Sequence, residues 1–229
     1  MPAKNSRKQF VENSYYHIYN RGVEKRQIFM DEMDYSVFIS YIKNYLLPKD
    51  EEALQQTFSN EKSTPKQKAD ALKLLKLNNF SGTITFIAYC LMGNHFHFLV
   101  KQTIADGIDR FMNSLMTRYT MYFNRRHKRV GHLFQGNYKA VLVETEVQLL
   151  HLTRYIHQNP ASKGHAFQDY RYSSYQQYVS PNRVEWTKPN EVLSYFSKQG
   201  FNSYASFVGD NYTYDSLLMI SGLTLDESN

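Results

Sequence analysis

Two histidines one residue apart are the first candidates for binding a metal ion. His95 and His97 lie in the run GNHFHFLV, residues 93–100, where histidine and phenylalanine alternate. Alternate side chains of a β-strand point to opposite faces, so both imidazoles share one face and Phe96 and Phe98 share the other. Two neutral imidazoles on a rigid strand can chelate one divalent ion. The alternative interpretation is a pair of polar residues on the solvated face of a half-buried strand.

A tyrosine and an asparagine four residues apart form the second candidate group. In the run RYIHQNP, residues 154–160, helical spacing puts Tyr155 and Asn159 on one face, beside an apolar stripe that faces the core. Asn159 precedes a proline, so it ends the helix and its side chain can point outward. The alternative is a partly buried tyrosine with a hydrogen-bonded hydroxyl, followed by a helix stop. Tyr155 is one of 19 tyrosines, and this run alone does not make it a nucleophile.

The composition predicts a globular protein and favours a polyanionic partner. The 229 residues are 42% hydrophobic and 21% charged, which suits one domain with a substantial core. The formal charge of +6 favours a polyanionic partner, and the aromatic content of 15% supplies rings that fill cores or stack on unpaired bases. Cys90 is the only cysteine, which excludes an internal disulfide and a cysteine-based zinc cluster, and we expect it to be buried.

No sequence feature predicts membrane insertion or export. Residues 1–9 are polar and basic, without the apolar core of a signal peptide. No apolar run reaches the length of about 18 residues that a membrane span needs. The cytoplasm is therefore the expected location, and no membrane partner is expected.

The elements that must position these side chains follow an α+β pattern. Alternating or continuous apolar runs predict strands over residues 15–20, 83–91, 95–101 and 138–144. Apolar residues at helical spacing predict a helix capped by Asp31, a helix over 104–126, and a helix that Thr145 and Gln148 cap and Pro160 ends. A tight turn at residues 92–94 joins two of the strands as a hairpin, which indicates an antiparallel sheet.

Two further regions carry no visible chemistry. Residues 48–81 are polar and rich in lysine and glutamate, which predicts an insertion or a pair of surface helices. The apolar pattern weakens towards the C-terminus, where residues 189–229 predict two or three short helices. We therefore assign residues 1–180 to the main domain and residues 181–229 to a helical C-terminal appendage.

The order of several short runs resembles the single-tyrosine HUH transposases, and within them the branch associated with repetitive extragenic palindromes (REP). The runs are YHIYNRG at 16–22, HFH at 95–97, YFNRR at 122–126, GHLFQG at 131–136, RYIHQNP at 154–160 and YSSY at 172–175. Several runs in the right order are more specific than any one of them.

Two features depart from the family pattern. Relatives often carry arginine where this chain has Asn137, and the 48–81 insertion is longer than expected for a compact member.

The resemblance implies a fold and a set of site residues. The fold would be a ferredoxin-like or RRM-like antiparallel sheet backed by helices, and residues 1–180 would be the catalytic domain. His95 and His97 would bind a divalent ion, Mg²⁺ or Mn²⁺, with Asn159 as the third ligand, and Mn²⁺ matches imidazole better. Tyr155 would be the nucleophile. It can serve the histidine pair of its own chain or that of a partner subunit, because related enzymes can be homodimers.

The implied activity is metal-dependent nicking and strand transfer of single-stranded DNA. The metal ion would orient the scissile phosphate, and Tyr155 would form a 5′-phosphotyrosine while a 3′-hydroxyl is released. An active transposase and a domesticated transposase both fit this chemistry. His151 or His157 can assist proton transfer, although we expect both to be surface residues.

Basic residues provide the expected contacts with the phosphates of single-stranded or hairpin DNA. These residues are Arg110, Arg118, Arg125, Arg126, Lys128, Arg129 and Lys139. Positive charge together with exposed aromatic rings suits unpaired strands and hairpins. The alternative is that residues 124–129 form only a solvated basic loop.

Two other functions compete with a DNA-cutting enzyme. A non-catalytic module that binds nucleic-acid hairpins would keep the basic and aromatic surface but would need no metal. The presence of all four candidate site residues argues against a site that has lost its activity; these are His95, His97, Tyr155 and Asn159. A metal-dependent phosphohydrolase would use water as its nucleophile, and the lack of an acidic ligand cluster in the sequence argues against it.

Overall fold

Four strands form an antiparallel sheet in this computed structural model, which describes residues 10–181, 184–210 and 220–221. The strands are β1 (Ser14–Arg21), β2 (Ile84–Met92), β3 (His95–Gln102) and β4 (Lys139–Val143), and their spatial order is β2-β3-β1-β4. One helical connection follows β1 and another follows β3, which gives the βαββαβ order of ferredoxin-like folds. The predicted α+β class and the four predicted strands are confirmed.

Helices connect and cover these strands. Between β1 and β2 lie α1 (Glu32–Leu46), α2 (Glu51–Ser59) and α3 (Pro65–Lys76). The connection from β3 to β4 is α4 (Gly107–Arg126), and β4 is followed by α5 (Glu146–Gln158), α6 (Tyr175–Val179), α7 (Asn190–Leu193) and α8 (Tyr204–Gly209). In the part of the chain that the structure describes, no helix is both long and apolar enough to cross a bilayer.

Different helices cover the two faces of the sheet. Phe96 and Phe98 of β3 pack into the apolar cluster that contains the core residues of α1 and α4. Leu99, whose side chain points the other way, packs into the cluster that contains the core residues of α5. Because His95 and His97 alternate with the two phenylalanines, they lie on the α5 face.

The hairpin turn that precedes the histidines is held tightly. Gly93 and Asn94 form the predicted turn between β2 and β3. The Gly93 carbonyl accepts hydrogen bonds from the backbone N–H groups of Ile28 (2.8 Å) and Phe29 (3.0 Å). A Cβ atom at Gly93 would meet the amide of Gln27, so a side chain here would require the Gln27 side chain to move.

The predicted capping box starts α5. The Thr145 hydroxyl accepts from the Gln148 N–H at 3.1 Å, and the Gln148 amide oxygen accepts from the Thr145 N–H at 3.3 Å. The helix ends at Gln158 and continues as a 3-10 turn, Asn159–Lys163, which contains Pro160. These two ends fix the length of α5 and the face on which its polar residues lie.

The insertion between α1 and β2 is the predicted pair of helices. α2 and α3 contact each other, and of their residues only Ala71 is buried. The Lys49 ammonium donates hydrogen bonds to the carbonyls of Leu75 (3.1 Å) and Leu77 (2.6 Å), which ties the start of the insertion to its end. The pair therefore lies at the surface and adds little to the core.

Residues after α5 cover the β2 edge of the sheet. β2 is an edge strand, and its outer backbone groups would otherwise offer a template for pairing with another chain. The Ser174 N–H donates to the Tyr89 carbonyl (2.9 Å), and the Lys188 N–H donates to the Phe86 carbonyl (2.8 Å). The YSSY run therefore has a structural role, because it closes this edge.

The described part of the C-terminal appendage packs against α5. Tyr204 and Val208 of α8 belong to the same apolar cluster as Leu152 of α5. The short helices α7 and α8 agree with the prediction for this region. Residues 211–219 and 222–229 of that prediction lie outside the described residues, and the boundary between main domain and appendage stays a prediction.

His157 is buried, so the expectation of a surface residue is wrong. Its Nδ1 lies 2.6 Å from the Tyr204 hydroxyl oxygen, and its Nε2 lies 2.7 Å from the Ser174 hydroxyl oxygen. Burial lowers the pKa of His157 to about 3. His151 is partly exposed, and its ring lies 5.5 Å from that of Phe207. The neutral His157 ring thus fastens α5 to two later segments.

We expect His157 to make the folded state sensitive to acid. The unfolded-state pKa of histidine is about 6.5, so below that pH the unfolded chain binds a proton that the folded chain does not. Stability therefore falls as the pH drops from about 6.5 towards 3, by about 1.4 kcal/mol per pH unit from this group. The variant His157→Gln should flatten this part of the dependence of the unfolding free energy on pH.

Urea unfolding at about pH 7 and about pH 5 measures the effect. His165→Gln changes an exposed histidine and is the matched control, which should keep the wild-type pH dependence. An equal loss of stability in the two variants on acidification would show that His157 does not carry the effect.

Candidate active site

The α5 face of β1 and β3 presents neighbouring polar side chains. In the β1–β3 ladder, Tyr19 pairs with His97 and Arg21 pairs with His95. Paired residues project from the same face of an antiparallel sheet. His17, two residues before Tyr19, projects from that face too. The two predicted histidines therefore lie next to three further polar side chains on the adjacent strand.

Asn159 lies between the two predicted histidines. Its Oδ1 is 2.9 Å from His95 Nε2, and its Nδ2 is 3.3 Å from His97 Nε2. Asn159 stands at the junction between α5 and the following 3-10 turn and is buried. The structure thus joins side chains that are 64 and 62 residues apart in the sequence.

The ring of Tyr155 lies beside the same histidines and in the same chain. Its centroid is 5.3 Å from that of His97 and 6.2 Å from that of His17, and both ring pairs are nearly perpendicular. Tyr155 is partly exposed. The four residues that the sequence predicted to do chemistry therefore come together in one place, while their roles stay predictions.

His17 lies against this group, although the sequence did not single it out. It is fully buried, and its Nε2 lies 2.9 Å from His97 Nδ1. The two rings stack, with centroids 5.1 Å apart and planes 18° apart. The alternation of the first strand predicts that His17 and Tyr19 share a face. The register that sets His17 against His97 depends on the pairing with β3, which the alternation does not reveal.

Burial keeps His97 neutral. Desolvation, followed by the nearby imidazoles of His95 and His17, lowers the pKa of His97 well below its ordinary value. A neutral imidazole keeps one nitrogen lone pair, and this is the form that binds metal ions. His97 is therefore chemically suited to the ligand role at neutral pH.

The surroundings of His95 fit a divalent cation. Its Nδ1 lies 2.7 Å from Asn94 Oδ1, and its Nε2 lies 2.9 Å from Asn159 Oδ1. A neutral imidazole has one N–H and cannot donate to both amide oxygens. With the proton on Nδ1, the Nε2 lone pair faces Asn159 Oδ1, an arrangement that a shared cation would stabilise.

A cation at this place would be held by neutral ligands. Across residues 10–181, 184–210 and 220–221, no three or more histidine, cysteine or acidic side chains are grouped so that they can hold a metal ion. The amide oxygen of Asn159 would therefore have to complete the set begun by His95 and His97. Imidazole nitrogen together with amide oxygen suits Mn²⁺ better than Mg²⁺.

Two other sequence runs meet at the end of β1, beside His95. The Gly22 N–H donates to the Asn94 carbonyl (2.8 Å), and the Gln135 N–H donates to the Arg21 carbonyl (2.8 Å). The Arg21 side chain donates through Nε to Gln135 Oε1. The run GHLFQG is thereby fastened next to the histidine hairpin.

Two cationic residues lie on the same sheet face as the histidine pair. Lys139 of β4 pairs with Tyr19, which in turn pairs with His97. Arg21 pairs with His95. Lys139 is among the predicted DNA contacts, whereas Arg21 is not, because its place beside His95 follows from strand pairing and not from local sequence.

Two predicted phosphate contacts lie on the far side of the sheet. Arg110 and Arg118 belong to α4, which packs on the face opposite the histidines. Arg110 lies 3.7 Å from Asp106, and the guanidinium carbon of Arg118 lies 3.7 Å from the centroid of the Tyr41 ring. The structure does not bring these two residues to the histidine pair, so DNA contacts there would use a separate surface.

The basic segment at the end of α4 contains exposed and anchored cations. Arg125 and Lys128 are exposed. Arg129 donates a hydrogen bond to Asn124 Oδ1 at 3.0 Å. Arg125 and Lys128 are therefore better placed than Arg129 to meet a phosphate.

Arg126 is part of a structural ion-pair network. It contacts Asp31 at 2.7 Å and the fully buried Asp34 at 2.6 Å. The hydrogen bond from Arg126 lowers the pKa of Asp31 to about 2. The network joins the end of α4 to the start of α1.

Part of the chain matches the model of a transposase family. Residues 65–159 match the family model described as "Transposase IS200 like". The matched segment includes His95, His97, Tyr155 and Asn159. This match agrees with the resemblance to transposases that was inferred from the sequence. No curated protein matches the chain.

Two solved structures are similar to the chain at low identity. The first is a REP-associated tyrosine transposase bound to a REP hairpin, with 11% identity, a TM-score of 0.49, and coverage of 82% of this chain and 93% of that chain. The second is the tRNA(His) guanylyltransferase of Saccharomyces cerevisiae, with 11% identity, a TM-score of 0.33, and coverage of 98% and 83%.

We expect Arg126→Ala and Arg125→Ala to differ in stability. Removal of Arg126 takes a charged donor from the buried Asp34 carboxylate, which keeps the Met30 N–H and the Tyr122 hydroxyl as donors, and it should lower the unfolding free energy. Removal of the exposed Arg125 should change it by less than about 0.5 kcal/mol. Urea unfolding of both variants makes the comparison, and equal stabilities would contradict the structural role of Arg126.

Proposed function

We propose, on the premise that residues 65–159 match the IS200-like transposases, that this protein is a metal-dependent enzyme that nicks single-stranded DNA and transfers the strand through Tyr155. The observation that carries the proposal is the contact group formed by His95, His97, Asn159 and the Tyr155 ring. This group combines three neutral ligand side chains with one side chain that can form a covalent phosphoester.

The two histidines and Asn159 would hold the metal ion. The ligand atoms would be Nε2 of His95, Nε2 of His97 and the amide oxygen of Asn159. A divalent ion bound there would bind a phosphate oxygen, withdraw charge from phosphorus and orient the ester for in-line displacement. Because all three ligands are neutral, they leave the positive charge available to the phosphate.

Tyr155 would carry the DNA strand. Its hydroxyl oxygen attacks phosphorus, an O–P bond forms, and the bond from phosphorus to the 3′ oxygen breaks. The phenol loses its proton, and the departing 3′ oxygen gains one, which gives a 5′-phosphotyrosine and a 3′-hydroxyl. The ordinary pKa of tyrosine is about 10, so the proton must leave as the attack occurs. One phosphoester replaces another, so a second strand end can be joined without ATP.

The DNA would be bound by cations beside this site and at the end of α4. Lys139 and Arg21 share the sheet face of the histidine pair, and Arg125 and Lys128 are exposed at the end of α4. These charges suit the phosphates of a single strand or a hairpin. The REP association stays a proposal that follows from the sequence resemblance.

One chain would be sufficient for the chemistry. Tyr155 lies next to the histidine pair of its own chain, with ring centroids 5.3 Å apart at His97. A homodimer is therefore not needed to supply the nucleophile. We propose an active site built in cis.

A denaturation-resistant adduct tests the nucleophile. We expect the wild type to form a covalent complex with labelled single-stranded hairpin DNA in the presence of Mn²⁺ or Mg²⁺, and a chelator to abolish it. Tyr155→Phe should lower the rate of adduct formation by about 10³-fold or more. Tyr195→Phe, which changes an exposed tyrosine, is the matched control and should retain the wild-type rate.

The outcomes separate the rival functions. Adduct formation by Tyr155→Phe would show that Tyr155 is not the nucleophile. Hairpin binding without any adduct, across a panel of hairpins and both metals, would favour the non-catalytic module. Repeated turnover of a phosphoester by Tyr155→Phe would favour a hydrolase that uses water.

Metal binding tests the third ligand separately. We expect Asn159→Ala to weaken Mn²⁺ binding at least about tenfold, because only two imidazoles remain. Asn113→Ala removes an exposed amide on α4 and should leave the affinity unchanged. The electron paramagnetic resonance signal of free Mn²⁺ measures the Mn²⁺ affinity of each variant. Equal affinities in the two variants would remove Asn159 from the ligand set.

A further inference from the structure

A third histidine lies behind the pair that would bind the metal ion. His17 and His97 are both fully buried, on adjacent strands β1 and β3. His17 Nε2 and His97 Nδ1 are 2.9 Å apart, which is a hydrogen-bond distance between two ring nitrogens. One of these nitrogens must donate and the other must accept.

The neighbouring amide decides which nitrogen donates. Asn159 Nδ2 lies 3.3 Å from His97 Nε2, and an amide nitrogen can only donate. His97 Nε2 must therefore carry a lone pair, so the proton of the neutral ring is on Nδ1. The hydrogen bond then runs from His97 Nδ1 to His17 Nε2.

We infer that His17 is a positioning residue that holds His97 in the tautomer whose Nε2 lone pair faces Asn159 and the cation site. The inference rests on the proposed function for its biological meaning. Metal-binding histidines commonly donate their second ring N–H to an acceptor, which fixes both tautomer and ring orientation. A buried histidine fills this role here in place of the more usual carboxylate or carbonyl.

His17 also touches the proposed nucleophile. Its ring centroid is 6.2 Å from that of Tyr155 at an angle of 81°, and 4.9 Å from that of Tyr19. The same buried ring therefore orients His97 through a hydrogen bond and supports the Tyr155 ring by contact. A change at residue 17 should affect the ligand and the nucleophile together.

The tautomer can be read directly in the unaltered protein. Nitrogen NMR of the metal-free wild type should show the proton of His97 on Nδ1, with Nε2 unprotonated. This measurement needs no variant, no DNA and no metal. A proton on His97 Nε2 would overturn the inference.

Two substitutions at residue 17 test its effect on metal binding. His17→Phe keeps a planar ring but removes the acceptor, and it should weaken Mn²⁺ binding by about 10- to 100-fold. His17→Gln can present an amide oxygen near the position of Nε2 and should restore most of the affinity. His132→Phe makes the same change at an exposed histidine and should leave the affinity unaltered.

The readouts distinguish this inference from the proposed function. Wild-type Mn²⁺ affinity in a folded His17→Phe variant would overturn the inference, while the adduct assay would still stand on its own. Loss of affinity in His17→Phe, recovery in His17→Gln and no adduct in the wild type would keep His17 as a positioning residue and reject the strand-transfer function. A wild type that binds no Mn²⁺ would reject both.

Discussion

The candidate site depends on one contact between a helix and a sheet, the amide of Asn159 between the imidazoles of His95 and His97. Buried polar groups are costly unless they find partners, so the histidine face needs a polar surface packed against it. α5 supplies this surface. Its apolar stripe, with Leu152, packs on the sheet, and its polar edge then carries Asn159 to the histidines. Apolar packing therefore sets the position of the polar contact.

The segments after α5 pack against the side of that helix that faces away from the histidine pair. His157 lies between Tyr155 and Asn159 in the sequence and points away from the histidine pair, towards Ser174 and Tyr204. Ser174 also accepts a hydrogen bond from the Tyr89 backbone at 2.8 Å, which anchors it to β2. Because α5 is fixed on both sides, the side chains on its polar edge have little freedom to rotate away from the site. The YSSY run and the described part of the appendage thus support the site through α5.

The elements follow from local rules, and the four central residues were predicted from local spacing together with the family resemblance. Strand alternation placed His95 and His97 on one face, and helical spacing placed Tyr155 and Asn159 on another. Local rules cannot show which face of an element meets a later segment. His157 was therefore misjudged, because its partners come from segments beyond α5. The site roles of His17 and Arg21 were missed because they depend on strand register, and the role of Arg126 depends on the packing of α4 against α1.

The neutrality of the central side chains has a consequence for how the proposed site would be filled. A divalent ion held by two imidazoles and an amide keeps its full charge in a partly buried place, which costs free energy unless an anion joins it. The phosphate of the DNA is that anion. Lys139 and Arg21 lie on the same sheet face. Their positive charges would repel a metal ion bound alone but would attract the phosphate of the DNA. Metal and DNA should therefore each raise the affinity for the other by the same factor, as linkage requires. Such coupling would keep Tyr155 inactive towards phosphoesters until both the ion and the strand are in place.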